Sequence, residues 1–261
     1  MKINKIKNRI LLCAGIALLS ACSKDGGGNM NDSLSGQGGS MARFTIKDNI
    51  LYVVDNQTLK MFDVKTAAHP LHLTPRDQRL DAGAETIFVM DTLLFIGSEN
   101  GLYIYDVREP DRPQRFSFIS HIRSCDPVVA YKNYAYVTLN SKSARCGRGV
   151  NELQVYDISN PSDPLLQKTE AMNSPQGLGV DGKRNKLFVC DNNGVKIYDI
   201  SDPVSPKWID DFAYIPEAHN IDAYDVIPQD GILLMIGKDG FFQFDYTGDD
   251  IKFLSKIMVE Q

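Results

Sequence analysis

The sequence predicts an all-β fold made of five copies of one four-stranded unit. Three observations carry that reading: a recurring phrase, its spacing, and a strand-and-turn texture without helical periodicity. The phrase is clearest as "LQVYDISNPSDP" at 153–164, with "LYIYDVREPDRP" from Leu102 and "VKIYDISDPVSP" from Val195. Weaker copies are "LKMFDVKTAAHP" from Leu59 and "FFQFDYTGDD" from Phe241. The aspartate after the aromatic fixes a register of Asp63, Asp106, Asp157, Asp199 and Asp245, at intervals of 43, 51, 42 and 46 residues. Self-similarity at such a period marks a repeat architecture. The long interval contains an insert, "NSKSARCGRG", at 140–149.

Within each unit the elements follow in a fixed order. A short apolar stretch comes first: "TIFVM", "PVVAY", "GLGVD" and "YDVIP" in the second to fifth units. A β-rich run follows: "ILYVVD", "LLFIGS", "YAYVTL", "KLFVCD" and "ILLMIG". Polar turns such as "SENG", "DNNG" and "GKDG" then lead into the repeated phrase as third strand, as a hairpin requires. After the proline-rich turn comes a weaker fourth strand: "QRFSFI", "LLQKTEA", "KWIDDF" and "IKFLSKI". One such sheet cannot cover both of its own faces. Stacking five around an axis buries them, which is the construction of a β-propeller. The recurring Asp then has a structural task. Its carboxylate is expected to accept backbone N–H groups in the turn, while the prolines stop the strand. That reading is preferred to five equivalent catalytic acids.

The first 40 residues are set apart by composition. Lys2, Lys5, Lys7 and Arg9 precede the apolar run "ILLCAGIALL" and small residues, the pattern of a secretory signal over 1–21. Ten apolar residues are too few for a mature membrane span. "LLSAC" resembles the lipobox of bacterial lipoproteins, which implies cleavage before Cys22 and acylation of its thiol. Residues 22–40, rich in Gly, Ser and Asn, predict a flexible tether, with the folded domain at 41–261. The expected address is the bacterial cell envelope, lipid-anchored at the outer membrane. Loss of the signal removes four of 28 basic residues and leaves 24 against 33 acidic ones, a net charge of −9. Without a basic stripe to neutralise phosphates, nucleic acid is excluded as a partner.

The texture "LYV…GLxIYDVSxPxxP" resembles the LVIVD-repeat family of β-propeller proteins from about Met41 to Val259. The stretches at 124–164 and 175–203 look especially like a group of Bacteroidetes envelope lipoproteins. The resemblance implies the fold and an envelope location, and names no reaction. The first and fifth copies depart from its proline pattern.

Catalytic and nucleotide-binding motifs are absent from the sequence, and its abundant carboxylates single out no acid–base pair. Cys190, alternating with apolar residues in "LFVCD", is expected to be a buried free thiol. Cys125 precedes the first strand of the third unit and Cys146 lies in the insert after its second. In an antiparallel meander those positions share an edge, so a Cys125–Cys146 disulfide is expected in an oxidising compartment. The same edge carries the residues entering the innermost strands. They form a candidate binding mouth of Glu85, Asp126, Gln176 and Asp222, with His219 just upstream and Arg145 and Arg148 on the insert. A ligand or envelope protein is the expected partner there, and the carboxylates offer a place for a cation such as calcium. The leading functional class is therefore a non-enzymatic binding module. The competing class is an envelope glycan hydrolase or lyase using carboxylates at the mouth.

Overall fold

A computed structural model describes residues 38–120, 127–141, 150–215 and 219–259. Five four-stranded antiparallel meanders account for nearly all of them. Their strands are Phe44–Lys47, Ile50–Asp55, Thr58–Asp63 and Leu71–His72 in blade 1, and Ala84–Met90, Leu93–Ser98, Gly101–Asp106 and Gln114–Ser120 in blade 2. Blade 3 has Val128–Tyr131, Tyr134–Leu139, Glu152–Asp157 and Leu165–Ala171. Blade 4 has Pro175–Asp181, Lys186–Asp191, Gly194–Asp199 and Lys207–Phe212. Blade 5 has Ala223–Gln229, Ile232–Gly237, Gly240–Asp245 and Lys252–Met258. The five β-rich runs read from the sequence coincide with the five second strands. Together the sheets form a five-bladed β-propeller within the unit Ser33–Gln261.

Local chemistry explains the turns. Between first and second strands, Asp48–Asn49 and Asp230–Gly231 have both central φ angles positive, and Asn192–Asn193 does the same between second and third strands of blade 4. That is the twist a tight hairpin needs, and Asn, Asp and Gly reach it at least cost. All five register aspartates behave alike. Asp63, Asp106, Asp157, Asp199 and Asp245 each accept the backbone N–H two residues on, at 2.8, 2.9, 2.8, 2.7 and 2.8 Å. The prolines that follow have a second task that the sequence does not disclose. Their carbonyls receive hydrogen bonds from the preceding blade: Tyr52 to Pro110 at 2.5 Å, Ser117 to Pro161 at 2.7 Å, and Tyr136 to Pro203 at 3.0 Å.

Apolar packing between blades makes the core. One cluster joins blade 1 to blade 2, a larger one runs through blades 2, 3 and 4, and a third joins blade 4 to blade 5. Blades 4 and 5 approach most closely, because Gly177 and Gly179 lie against the inner strand of blade 5. A Cβ at Gly179 would stand 2.7 Å from Val226 O, and one at Gly177 would stand 2.7 Å from Tyr224 O. Cys190 is fully buried and free, and burial pushes its thiol well above the usual range. Tyr136 is also fully buried with its hydroxyl on Pro203. Tyr136→Phe is expected to cost about 1 kcal/mol, because one partly buried carbonyl loses its donor. Chemical denaturation of the two proteins measures the difference.

Candidate functional site

The candidate mouth lies where the innermost strands begin. In blade 2, Ala84 pairs with Ser98 and Thr86 with Gly97, so Glu85 is an extra residue. In blade 4, Pro175 pairs with Asp191 and Leu178 with Val189, which places Gln176 in the same kind of bulge. In blade 5, Ala223 pairs with Gly237 and Asp225 with Ile236, leaving Tyr224 as the extra residue. Three inner strands therefore start with a β-bulge at equivalent positions, and a bulge re-aims the side chain it carries.

Glu85 and Gln176 lie in the bulges of blades 2 and 4, and in blade 5 that place is held by another residue than the sequence spacing selects. The equivalent residue is Tyr224, which is exposed, and not Asp222. Asp222 precedes the strand in a left-handed conformation, φ 38°, with its carbonyl accepting the Lys238 N–H at 3.1 Å. His219 belongs to a short strand, His219–Asn220, paired with Tyr214–Ile215. Asp126, Cys125, Arg145, Cys146 and Arg148 lie outside the described residues.

A residue that sequence reasoning does not single out dominates this edge. Asp225 occupies the inner-strand position taken by Thr86 in blade 2 and Gly177 in blade 4, and it is buried. The segment that precedes blade 1 supplies its partners. Ser40 Oγ donates to Asp225 Oδ1 at 2.8 Å, and the Met41 N–H donates to Oδ2 at 3.1 Å. The Val226 N–H adds a third bond at 3.0 Å. Ser40 Oγ also accepts the Leu178 N–H of blade 4 at 2.7 Å. Farther along, Ala42 O accepts the Ile87 N–H of blade 2 at 2.9 Å, and Arg43 Nη2 donates to Ala84 O at 2.8 Å. One short segment thus bonds to the inner strands of blades 2, 4 and 5. Ser40, assigned by composition to the tether, is only 1% exposed, so the ordered domain reaches back past Met41. Burial pushes the Asp225 carboxyl up to about 6, against the downward pull of its donors.

Two other carboxylates fasten the scaffold. Asp191 closes the connection into blade 4, accepting the Ser174 N–H at 2.7 Å and pairing with Lys196 at 2.9 Å. Asp181, at the opposite edge, accepts from Tyr246 at 2.8 Å and Arg184 at 3.0 Å. Burial works to raise the Asp181 carboxyl, but those donors hold it below the usual carboxylate range. Also at that edge is a surface hollow of about 130 Å³ beside the blade 2 turn, lined by Asp106, Arg108, Glu109, Arg112 and Gln114. Among the described residues no group of three or more His, Cys, Asp or Glu side chains is arranged to hold a metal ion.

Comparison with known proteins agrees with this architecture. The LVIVD repeat model matches residues 122–169 and 183–213, so the chain carries LVIVD repeats in blades 3 and 4. No curated protein sequence matches the chain. Among solved structures, a periplasmic gluconolactonase of Pseudomonas aeruginosa superposes with a TM-score of 0.60 at 12% identity, over 81% of this chain and 68% of that one. A putative 6-phosphogluconolactonase of Bacteroides fragilis gives 0.60 at 11% identity, over 81% and 68%. Kluyveromyces lactis Hsv2 gives 0.52 at 13%, over 77% of this chain and 60% of that one. At such identities the likeness is one of fold.

Proposed function

We propose that this protein is an envelope-tethered β-propeller lipoprotein of the Bacteroidetes type that binds a ligand or protein at the face where its inner strands begin. The observation that supports this most is the set of equivalent bulges at Glu85, Gln176 and Tyr224. A rigid scaffold that repeats one local irregularity around a common edge presents adaptable side chains from fixed positions, which suits recognition.

The test is a binding screen on the purified chain with envelope glycans, small metabolites and candidate envelope proteins. A binder whose affinity falls when Glu85, Gln176 and Tyr224 are all replaced by alanine supports the proposal. A binder unaffected by that change, but lost on altering the opposite turns at Ser159 and Ser201, refutes it.

The address is proposed from the N-terminal sequence. Mass spectrometry of the mature N-terminus should find a diacylated Cys22. Thiol titration of denatured, unreduced protein should then find one free thiol, Cys190, if Cys125 and Cys146 are joined. Three free thiols would mean that the disulfide is absent.

A second reading, hydrolysis of a glycan or sugar derivative, is favoured by one observation, a buried carboxyl raised toward neutral pH at the mouth. A general acid or base needs such tuning. Against it, the Asp225 oxygens are already engaged by Ser40, Met41 and Val226. Activity on a gluconolactone or glycan substrate that disappears in Asp225→Asn, with the fold retained, would favour the enzyme.

A further inference from the structure

The five seams of the ring are not alike. Four contain buried apolar clusters, and among the described residues none of the clusters spans blade 5 and blade 1. Equivalent positions make the contrast plain. Ile87, Val128, Leu178 and Val226 pair with the fourth residue of their second strands and are at most 1% exposed. Phe44, paired in the same way with Val53, is 60% exposed. On the facing wall, Ile236 is 51% exposed, whereas its equivalents Val54, Thr138 and Cys190 are buried. Beside it, Ile257 of the outer strand, paired with Phe241, is 67% exposed. Apolar packing therefore closes four seams and leaves the fifth weakly held.

What does cross the inner end of that seam is residues 39–43. They hold blade 5 through Asp225 and blade 4 through Leu178 before entering blade 1, and they hold blade 2 through Ile87 and Ala84. We propose that this segment is a strap that keeps the ring shut between blades 5 and 1, and that freeing Ser40 and Met41 from Asp225 opens the seam.

The energetics favour opening at this place over others. Parting any other seam exposes a buried apolar cluster, whereas parting this one exposes walls that are already half in water. The bonds to be broken are a few polar ones made by a single short segment. Local opening follows the least-protected boundary. The strap is also the direct continuation of the N-terminal residues, so a pull transmitted along the chain from that side reaches Ser40 before it reaches any blade. Opening would present Phe44, Val53, Leu234, Ile236 and Ile257 together.

Hydrogen exchange, read by mass spectrometry on the intact mature chain, tests this. Three single variants are compared with the parent protein: Ser40→Ala, Asp225→Asn, and a control, Asp191→Asn, which removes a buried carboxylate away from the seam. Ser40→Ala deletes only one hydroxyl, so the strap is still tested if Asp225→Asn does not fold. In Ser40→Ala and Asp225→Asn, exchange should speed up about tenfold or more in Phe44–Asp55 and Ile232–Asp245, since an unpaired buried group shifts a local opening by that much. Exchange in Val128–Leu139 should stay unchanged. No acceleration at the seam, equal acceleration in all blades, or the same seam pattern in Asp191→Asn would each overturn the proposal.

Discussion

Replacing Gly179 by valine is expected to destabilise the propeller by about 3 kcal/mol. The added Cβ would stand 2.7 Å from Val226 O and closer still to Pro228 Cδ, well inside contact distance. Neither obstacle is a flexible side-chain end, so the inner strands of blades 4 and 5 must separate. That separation loosens the cluster containing Phe188, Val226, Leu233, Met235 and Phe242. Urea denaturation should show a lower midpoint with the slope retained. A loss under about 0.5 kcal/mol would show that the two strands are not in such close contact.

The second large effect concerns pH and Asp225. Its folded carboxyl stands at about 6, above the ordinary value of 3.8, because burial penalises the charged form. The native state therefore holds a proton that the unfolded chain has already released between those values. Stability from this group rises as pH falls from about 7 to about 4, and is lost as pH rises through 6. Two pKa units correspond to about 3 kcal/mol. Several other carboxylates act in the opposite direction. Asp106 is held low by its Arg108 bonds, and Asp157, Asp199 and Asp245 by Ser159, Ser201 and Thr247. Their contribution is present above the ordinary carboxylate pKa and disappears below it. Comparing wild type with Asp225→Asn separates the two. From pH 7 to pH 4.5 the wild type should gain stability relative to the variant. A flat difference, or a gain for the variant, would mean that the Ser40, Met41 and Val226 donors outweigh burial.

Much of the scaffold is legible in the sequence because the repeat constrains it five times over. The aspartate of "YDIS" and its relatives sits in an identical turn in every blade, so spacing alone places the third strands. Alternating β-branched and aromatic residues place the second strands, and Asn–Asn and Asp–Gly place turns. The mouth is legible only in part. A bulge leaves no compositional mark, and spacing selects Asp222, two residues before Tyr224, which holds the bulge in blade 5. Asp225 does leave a mark, a charge inside the apolar run "YDVIP". Reading it requires a partner, and the partner lies 185 residues away in a stretch that looks like linker. Gly39, Ser40 and Met41 have no periodicity of their own. Only the tertiary structure, which offers Asp225 and the Leu178 amide to them, turns that stretch into a fastening.

The most direct test of the proposed binding face uses a photoreactive residue placed at Gln176, on the bulged edge, or at Asp202, in the opposite proline-rich turn. Each protein is expressed in its native envelope, irradiated, and its adducts are compared. The predicted result is a discrete adduct from position 176 that is absent from position 202. Equal labelling at both positions, or an adduct from position 202 alone, would contradict it.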